Sequence, residues 1–338
     1  MLNLSLFVPG LFDTEIDLEN AAASHLPSLE FLLARASRTV IPPESYNRAL
    51  ANQFSYLPGE QEDVPVAAIG RLIDDDKRPE GFWLRADPVY LHADKKSLSL
   101  LDANSFSLTQ HDALALAACV QQSFSELGWE LEVPVPTRWY VKTNDKASIR
   151  TSELQEVTGQ DIKEYLPEGD DAGVWRRLMN ELQMQLHDAD INQLRIERGE
   201  LPINSLWLWG SGLLPDLLER RWSRVYSDDI TTMGLSMLSN TPCLALPAGA
   251  EDVSEQGSDN AQLLVVMSEF QTAMLQREQR ASQLELFENN WCKYLLQHLK
   301  EGRLNSLTII TRSYSFEISK LSLMKFWKRT KAFNKYIV

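Results

Sequence analysis

Cysteine is scarce in this sequence. Its 338 residues include only Cys119, Cys243 and Cys292, which lie far apart and form no CxxC pair. A disulfide-bonded scaffold needs more cysteine than this, and a cysteine zinc site needs closely spaced pairs. The sequence therefore argues against both kinds of structure.

Long apolar runs are also missing, since no stretch is long enough to cross a bilayer. Residues 1–12 are apolar, but no Lys or Arg precedes them and acidic residues follow directly. They lack the basic start of a secretory signal, so we interpret them as a buried first strand. We expect a cytoplasmic protein without a membrane partner.

Several catalytic motifs are absent. No GxxxxGK[ST], GxSxG or HExxH occurs, which argues against a P-loop, a nucleophile elbow and a zinc protease helix. Gly210 and Gly212 follow a predicted strand, where they indicate either a tight turn or a backbone that approaches a ligand closely. His92 shares a strand face with Asp94, and His187 ends a predicted helix, where capping accounts for it.

Positive charge is in short supply, with 33 Lys and Arg against 47 Asp and Glu. A net charge of −14 argues against a whole-surface attraction to nucleic acid or anionic lipid. Residues 320–338 are the exception: they contribute +6 and hold no acid, so the first 319 residues carry −20. The aromatic residues among these bases predict a basic C-terminal helix at 320–332 whose aromatic side docks while its lysines face water. The alternative is contact with an anion, RNA or an acidic partner.

The order of predicted elements indicates two nested domains. A strand, a loop and a helix open the chain, and strands alternate with helices again towards its end, which predicts a largely parallel sheet. Residues 73–81 are charged, contain Pro and Gly, and mark a boundary. We predict a discontinuous α/β core of 1–75 and 203–338 and an inserted α+β module of 80–202.

A polar stretch at 180–212 carries a family resemblance. By spacing alone, Arg195 and Arg198 belong to an exposed Arg/Glu surface. The stretch as a whole, however, resembles a segment of the archaeal-type cofactor-independent phosphoglycerate mutases, and residues 87–91 and 138–142 resemble strands of the module inserted in that family. The matching positions of the stretch are Asn192, Arg195, Gly199, Pro202, Asn204, Gly210 and Gly212.

A second resemblance covers nearly the whole chain. The opening PGL, the ADPV and RWY strands, the NELQMQLH helix, the NSLWLWG turn and a late element from Phe287 to Leu307 are similar to a bacterial group of RpfE-type regulatory proteins. That group is itself described as phosphoglycerate mutase-like.

Both resemblances imply an alkaline phosphatase-like α/β fold, with a mostly parallel sheet covered by helices and an inserted α+β module. In that superfamily two metal ions held by Asp and His activate a Ser or Thr nucleophile. In this chain Val8-Pro9-Gly10 stands where the mutases have a metal-binding Gly-Asp-Gly turn, and alanine lies near the nucleophile position within 63–69. The late Asp and His motifs are missing, so the resemblance implies a degenerate centre with no catalytic or metal-binding residue.

We therefore expect a regulatory or ligand-binding protein that needs no cofactor and binds a small phosphate or carboxylate, or a protein. One alternative is an active phosphoglycerate mutase or phosphatase with Mn or Zn on relocated ligands. Another is a protein- or RNA-interaction factor that uses the basic C-terminal helix. In the leading hypothesis Arg195→Ala abolishes anion binding. The expected ligand-binding residues are Arg85, Asp87, His92, Asn180, His187, Asn192, Arg195, Asn204, Trp209, Gly210 and Gly212.

Overall fold

The structure is a computed structural model that describes residues 2–12, 25–75, 78–144, 149–253, 261–271 and 277–336. The chain divides into two compact units. We call Met1–Ser55 together with Leu217–Val338 the core unit, and Tyr56–Asp216 the inserted unit. Each unit has a sheet of its own.

The strands and the longer helices of the described residues are numbered in chain order. The strands are β1 Leu2–Phe7, β2 Ser37–Val40, β3 Phe82–Ala93, β4 Leu98–Leu101, β5 Glu130–Val135, β6 Arg138–Thr143, β7 Ser205–Leu213, β8 Arg224–Tyr226, β9 Cys243–Leu244, β10 Gln262–Val266, β11 Leu304–Ile310 and β12 Tyr314–Ser319. The helices are α1 Pro27–Arg35, α2 Tyr46–Gln53, α3 Val66–Asp74, α4 Gln110–Glu126, α5 Ala172–His187, α6 Asp190–Glu197, α7 Ile230–Leu238, α8 Arg277–Phe287 and α9 Lys293–Glu301. Within the described ranges, no helix is long and apolar enough to cross a membrane.

The core unit is built on a seven-stranded sheet of order β2-β12-β11-β1-β10-β8-β9. Strand β1 pairs in parallel with β10 and β11, and β8 pairs in parallel with β10 and β9. The antiparallel pairs among the described strands of this sheet all involve β12, which returns from β11 as a hairpin and also pairs with β2. Apolar residues of β1, β10 and β11 pack into one buried cluster with leucines of α1 and α9. The predicted α/β class with a parallel-rich sheet is confirmed.

The inserted unit holds a five-stranded antiparallel sheet of order β4-β3-β6-β5, in which β7 also pairs with β3. The long strand β3 organises the unit, because it contacts β4, β6 and β7 along its twelve residues. Strand β5 lies at the edge, as Pro134 and Pro136 predict, since proline cannot donate a ladder hydrogen bond.

Strand β7 differs from the sequence-based arrangement. The prediction placed residues 203–213 in the parallel sheet of the core, but Ser205–Leu213 pairs antiparallel with β3 in the inserted unit. The units accordingly divide after Ser55 and after Asp216. The reason is that a continuous apolar run such as Leu206–Trp209 suits any strand buried on both faces, whichever way its neighbours run.

The end of the chain also differs from the prediction, because residues 320–332 form no α-helix. They contain one short 3₁₀ turn, Ser322–Met324, and a second turn follows at Phe333–Lys335. The hydroxyls of Ser319 and Ser322 bond to each other's backbone N–H groups, an alternative to helical hydrogen bonding. Of the aromatic residues expected to dock, Phe333 is buried, whereas Phe326 and Trp327 are exposed.

Candidate functional site

Three of the predicted site residues meet in a buried network of the inserted unit. Arg85 and Asp87 lie on one face of β3, and the Arg85 guanidinium donates to Asp87 Oδ1 at 2.9 and 2.7 Å. Trp209 Nε1, from β7, donates to Asp87 Oδ2 at 2.8 Å. The guanidinium also lies over the rings of Tyr140 and Trp209. The residues predicted from the sequence therefore do lie together, but their hydrogen bonds go to one another inside the protein rather than to a ligand.

Two other predicted residues, both asparagines, hydrogen-bond to backbone groups and hold them in place. The Asn192 amide donates to the carbonyls of Leu186 and Ile203 and accepts from the Ile203 N–H. Asn204 pairs with both backbone groups of Leu91, at 2.7 and 2.9 Å. Amide side chains suit this task because they carry a donor and an acceptor side by side.

Arg195 is fully buried, which corrects the expectation of an exposed Arg/Glu surface. Its Nε donates to Leu201 O at 3.0 Å, and its Nη2 donates to Ser107 O at 2.8 Å. Its Nη1 lies 3.3 Å from Asp112 Oδ2 and 3.1 Å from Glu200 Oε2. The guanidinium is thus engaged by the chain itself, which leaves it poorly placed to receive an external anion.

The remaining predicted polar residues are exposed and do not form a site with these networks. His92 lies near the end of β3, Asn180 lies on the outer face of α5, and His187 ends that helix. His92 contacts the ring of Tyr90 at a centroid distance of 6.0 Å.

Gly210 and Gly212 lie inside β7 rather than in a turn, and both have a positive φ, of 63° and 153°. A Cβ added at Gly212 would lie 2.7 Å from Pro65 Cβ, and one added at Gly210 would lie 3.0 Å from Val66 Cβ. The sequence left open whether this GxG marks a tight turn or a backbone that approaches a ligand closely. The backbone does make a close approach, but its neighbour is the start of α3 and not a ligand.

An open cleft in the inserted unit lies beside these elements. It has a volume of about 1010 Å³ and is lined by the loop before α3, the end of β7 and the segments around residues 150 and 169. We call it the Asp63 cleft, because the carboxylate of Asp63 joins three of its walls.

Asp63 accepts four hydrogen bonds in this cleft. Thr151 donates from Oγ1 at 2.6 Å and from its N–H at 3.2 Å. Ser211 donates from Oγ at 3.1 Å and from its N–H at 3.3 Å. Burial raises the pKa of Asp63, and the bonds from Thr151 and Ser211 oppose that shift. The sequence placed Asp63 in a loop similar to a nucleophile loop but linked it to neither Thr151 nor Ser211, because both are far from it in the chain.

The charge of the Asp63 cleft is predominantly negative. Tyr56 lines the same wall, and burial together with the nearby Glu62 raises its pKa to about 12. Among the lining residues that the structure describes, Arg150 is the single cationic side chain. The acidic side chains that line the cleft are Glu62, Asp63, Glu168, Asp170 and Asp216.

A second set of carboxylates lies at the carboxyl edge of the parallel sheet in the core unit. Asp228 and Asp229 follow β8, and Glu269 follows the neighbouring strand β10. Burial and the charge of Asp228 raise the pKa of Glu269. Asp229 caps α7 by accepting from the N–H and Oγ1 of Thr232 at 2.7 and 2.8 Å, and burial raises its pKa.

The residues at this edge do not fit the dimetal centre that the resemblance implies. The segments directly after β1, β8, β10 and β11 contain no histidine, and proline stands in the segment after β1. Asp229 is already bonded within its own helix start. In the part of the chain that the structure describes, no three His, Cys, Asp or Glu side chains are grouped so as to hold a metal ion.

Comparison with solved structures identifies the scaffold. The PH0037 protein from Pyrococcus horikoshii matches 94% of this chain and 87% of its own, with a TM-score of 0.56 and 12% identity. The cofactor-independent phosphoglycerate mutase from Thermoplasma acidophilum matches 99% of this chain and 97% of its own, with a TM-score of 0.48 and 17% identity. The fold assignment rests on the Pyrococcus structure, which shares this α/β architecture.

Sequence comparison finds relatives over a short segment, and no family model matches the chain. A probable 2,3-bisphosphoglycerate-independent phosphoglycerate mutase of Geobacter sulfurreducens is 38% identical over 72 residues, 21% of this chain. The corresponding enzyme of Methanosarcina barkeri is 35% identical over 74 residues, 22% of this chain. The matches span only 18% and 19% of those relatives. Over this segment the chain is thus a distant relative of these mutases.

Proposed function

We propose that this chain is a cytosolic regulatory, ligand-binding protein on a phosphoglycerate mutase-like scaffold, of the bacterial RpfE type, that has lost phosphoryl-transfer chemistry. The observation that supports this most is the role of Asp229 as the N-terminal cap of α7. At the sheet edge where the scaffold would hold metals, this carboxylate is half-buried and serves as a helix cap. A capping carboxylate cannot leave its N–H donors for a metal without uncapping α7.

The Asp63 cleft is the ligand site that we propose. Five carboxylates against one guanidinium favour a small cationic ligand, such as an oligoamine, over an anionic one. The phosphate or carboxylate ligand expected from the sequence stays a prediction, and it has less support. Arg85 and Arg195, the groups that would bind it, are engaged by Asp87 and by backbone carbonyls.

Calorimetric titration of the full chain with spermidine, a probe of this chemistry, tests the cleft. Replacing the exposed lining carboxylates Glu168 and Asp170 by Gln and Asn should weaken binding roughly tenfold, about 1.4 kcal/mol. The same exchange at Asp188 and Glu197, exposed residues outside the cleft, should leave binding unchanged. Equal loss from both pairs would indicate attraction to overall negative charge and would contradict a cleft site.

An enzyme assay tests the lost chemistry. Protein supplied with Mn or Zn should retain no stoichiometric metal and should not turn over 3-phosphoglycerate. Retained metal together with turnover would instead establish the mutase or phosphatase alternative with relocated ligands.

A further inference from the structure

An exposed apolar and basic surface lies near the end of the core unit. Four large apolar side chains occur within seven residues, and each is two-thirds exposed or more: Leu321 77%, Met324 68%, Phe326 85% and Trp327 67%. Exposed apolar residues scattered singly are ordinary, but a cluster of four marks a contact surface. We call these four residues the Phe326–Trp327 surface.

The segment is held on the core unit although these side chains are not buried. Phe333 is buried in the core cluster, and its N–H donates to Glu30 Oε1 at 2.8 Å. Lys328 Nζ donates to Ala36 O at 3.0 Å. Leu321 and Met324 are separated by one 3₁₀ turn, so they share a face, and the rings of Phe326 and Trp327 meet edge to face at 5.2 Å. The surface is therefore an ordered feature that presents its apolar groups to the outside.

Cationic residues flank the four apolar residues in the sequence. Lys320, Lys325, Arg329 and Lys331 alternate with them or follow them, and no acid occurs after Glu317. The rest of the chain is strongly acidic, so this end is the only strongly basic stretch of the sequence. A partner that binds here must combine negative charge with an apolar layer that accepts four protruding side chains.

We propose that the Phe326–Trp327 surface docks peripherally on an anionic lipid membrane. Aromatic and aliphatic side chains that enter the headgroup boundary, flanked by lysines that meet anionic headgroups, are the combination that binds lipid surfaces. RNA would use the aromatic rings for base stacking but gives Leu321 and Met324 no role. A protein partner is disfavoured because lysine, five of the six cations here, is depleted at protein interfaces. The sequence-based expectation of no membrane partner rested on overall charge and on the absence of a spanning segment.

Co-sedimentation of the full chain with vesicles tests the proposal. Binding to phosphatidylcholine vesicles that contain phosphatidylglycerol should exceed binding to phosphatidylcholine alone by at least roughly tenfold. It should fall steeply as salt rises from about 0.1 M to about 1 M, because the Debye length shortens from about 10 Å to about 3 Å. The variant Phe326→Ser with Trp327→Ser, and the variant Lys320→Gln with Lys331→Gln, should each lose most of the binding.

Matched controls separate this surface from general stickiness. Leu217→Ser with Met184→Ser removes equally exposed apolar groups elsewhere, and Lys95→Gln with Lys96→Gln removes two exposed charges elsewhere. Neither control should change vesicle binding. No vesicle binding, equal binding to both vesicles, or equal loss in the controls would overturn the proposal. Binding to poly(U) that the Phe326/Trp327 variant abolishes, without vesicle binding, would assign the surface to RNA.

Discussion

The guanidinium of Arg195 bonds to parts of the chain that lie far apart in sequence. Ser107 and Asp112 precede α4, or begin it, whereas Leu201 and Glu200 follow α6. Its position in the sequence motif suggested anion binding, but its contacts indicate that it joins these segments. A residue of this kind affects folding more than ligand affinity.

Arg195→Ala should therefore lower the free energy of unfolding by about 3–5 kcal/mol, the usual cost of removing one partner from a buried ion pair. Urea unfolding measures this loss. Arg177→Ala, which removes an exposed arginine from α5, should change stability by less than about 0.5 kcal/mol. A small effect at Arg195 together with lost phosphate binding would restore its predicted role in anion binding.

Gly212 shows a similar constraint at a single backbone position. With its positive φ and Pro65 Cβ at 2.7 Å from any added Cβ, Gly212→Ala should cost about 1–3 kcal/mol of stability. Gly173→Ala is the matched control. Gly173 lies in the first turn of α5, and a Cβ added there would have no neighbouring atom within 4 Å, so the substitution should stabilise the protein by roughly 0.5–1 kcal/mol. Thermal or urea unfolding distinguishes them, and equal effects would contradict the close packing of β7 on α3.

At the scale of elements, the start of α7 is linked to pH through Asp229. Burial raises its pKa in the folded protein above the ordinary value of 3.8. A group with a raised folded pKa stabilises the fold at pH values below its unfolded pKa, and this contribution is lost as pH rises through the folded pKa. The folded protein is therefore more stable when the Asp229 carboxyl is protonated than when it is ionised.

Asp229→Asn keeps an oxygen cap that does not titrate. Between about pH 4 and pH 7 the unfolding free energy of the variant should rise relative to the natural protein, by about 1.4 kcal/mol for each unit of pKa shift. Urea unfolding across this pH range tests the prediction, and Asp188→Asn, at an exposed site, should show no such trend. A difference in unfolding free energy that does not change with pH would mean that burial does not raise the pKa of Asp229.

Elements with a strong local pattern were predicted well, and elements decided by distant contacts were not. Helix α4, Gln110–Glu126, is the kind of element that the sequence alone predicts, because its alanine-rich sequence and the Thr109 cap both act within the helix. Strand β7 was recognised as a strand but assigned to the wrong sheet, because its partner β3 lies more than a hundred residues earlier. The Asp63–Thr151–Ser211 contacts were missed for the same reason, since no spacing rule links those positions.

At the scale of the whole molecule, the inserted unit is one continuous stretch of chain with its own sheet and buried residues. Residues 56–216 expressed alone should fold cooperatively, because a stretch of this length buries enough surface for independent stability. Circular dichroism and a single urea transition would show this. A disordered fragment would mean that the unit depends on the rest of the chain.

The place of β1 in its sheet determines the order in which the chain can fold. Strand β1 lies between β10 and β11, which follow it by more than two hundred residues. During synthesis it has to wait for both neighbours, and closing so long a loop costs entropy before any contact repays it. The inserted unit, complete by Asp216, can fold while β1 is still unpaired. Until β11 has been made the nascent chain therefore exposes an apolar strand, and we expect its yield in the cell to depend on chaperones that cover such segments.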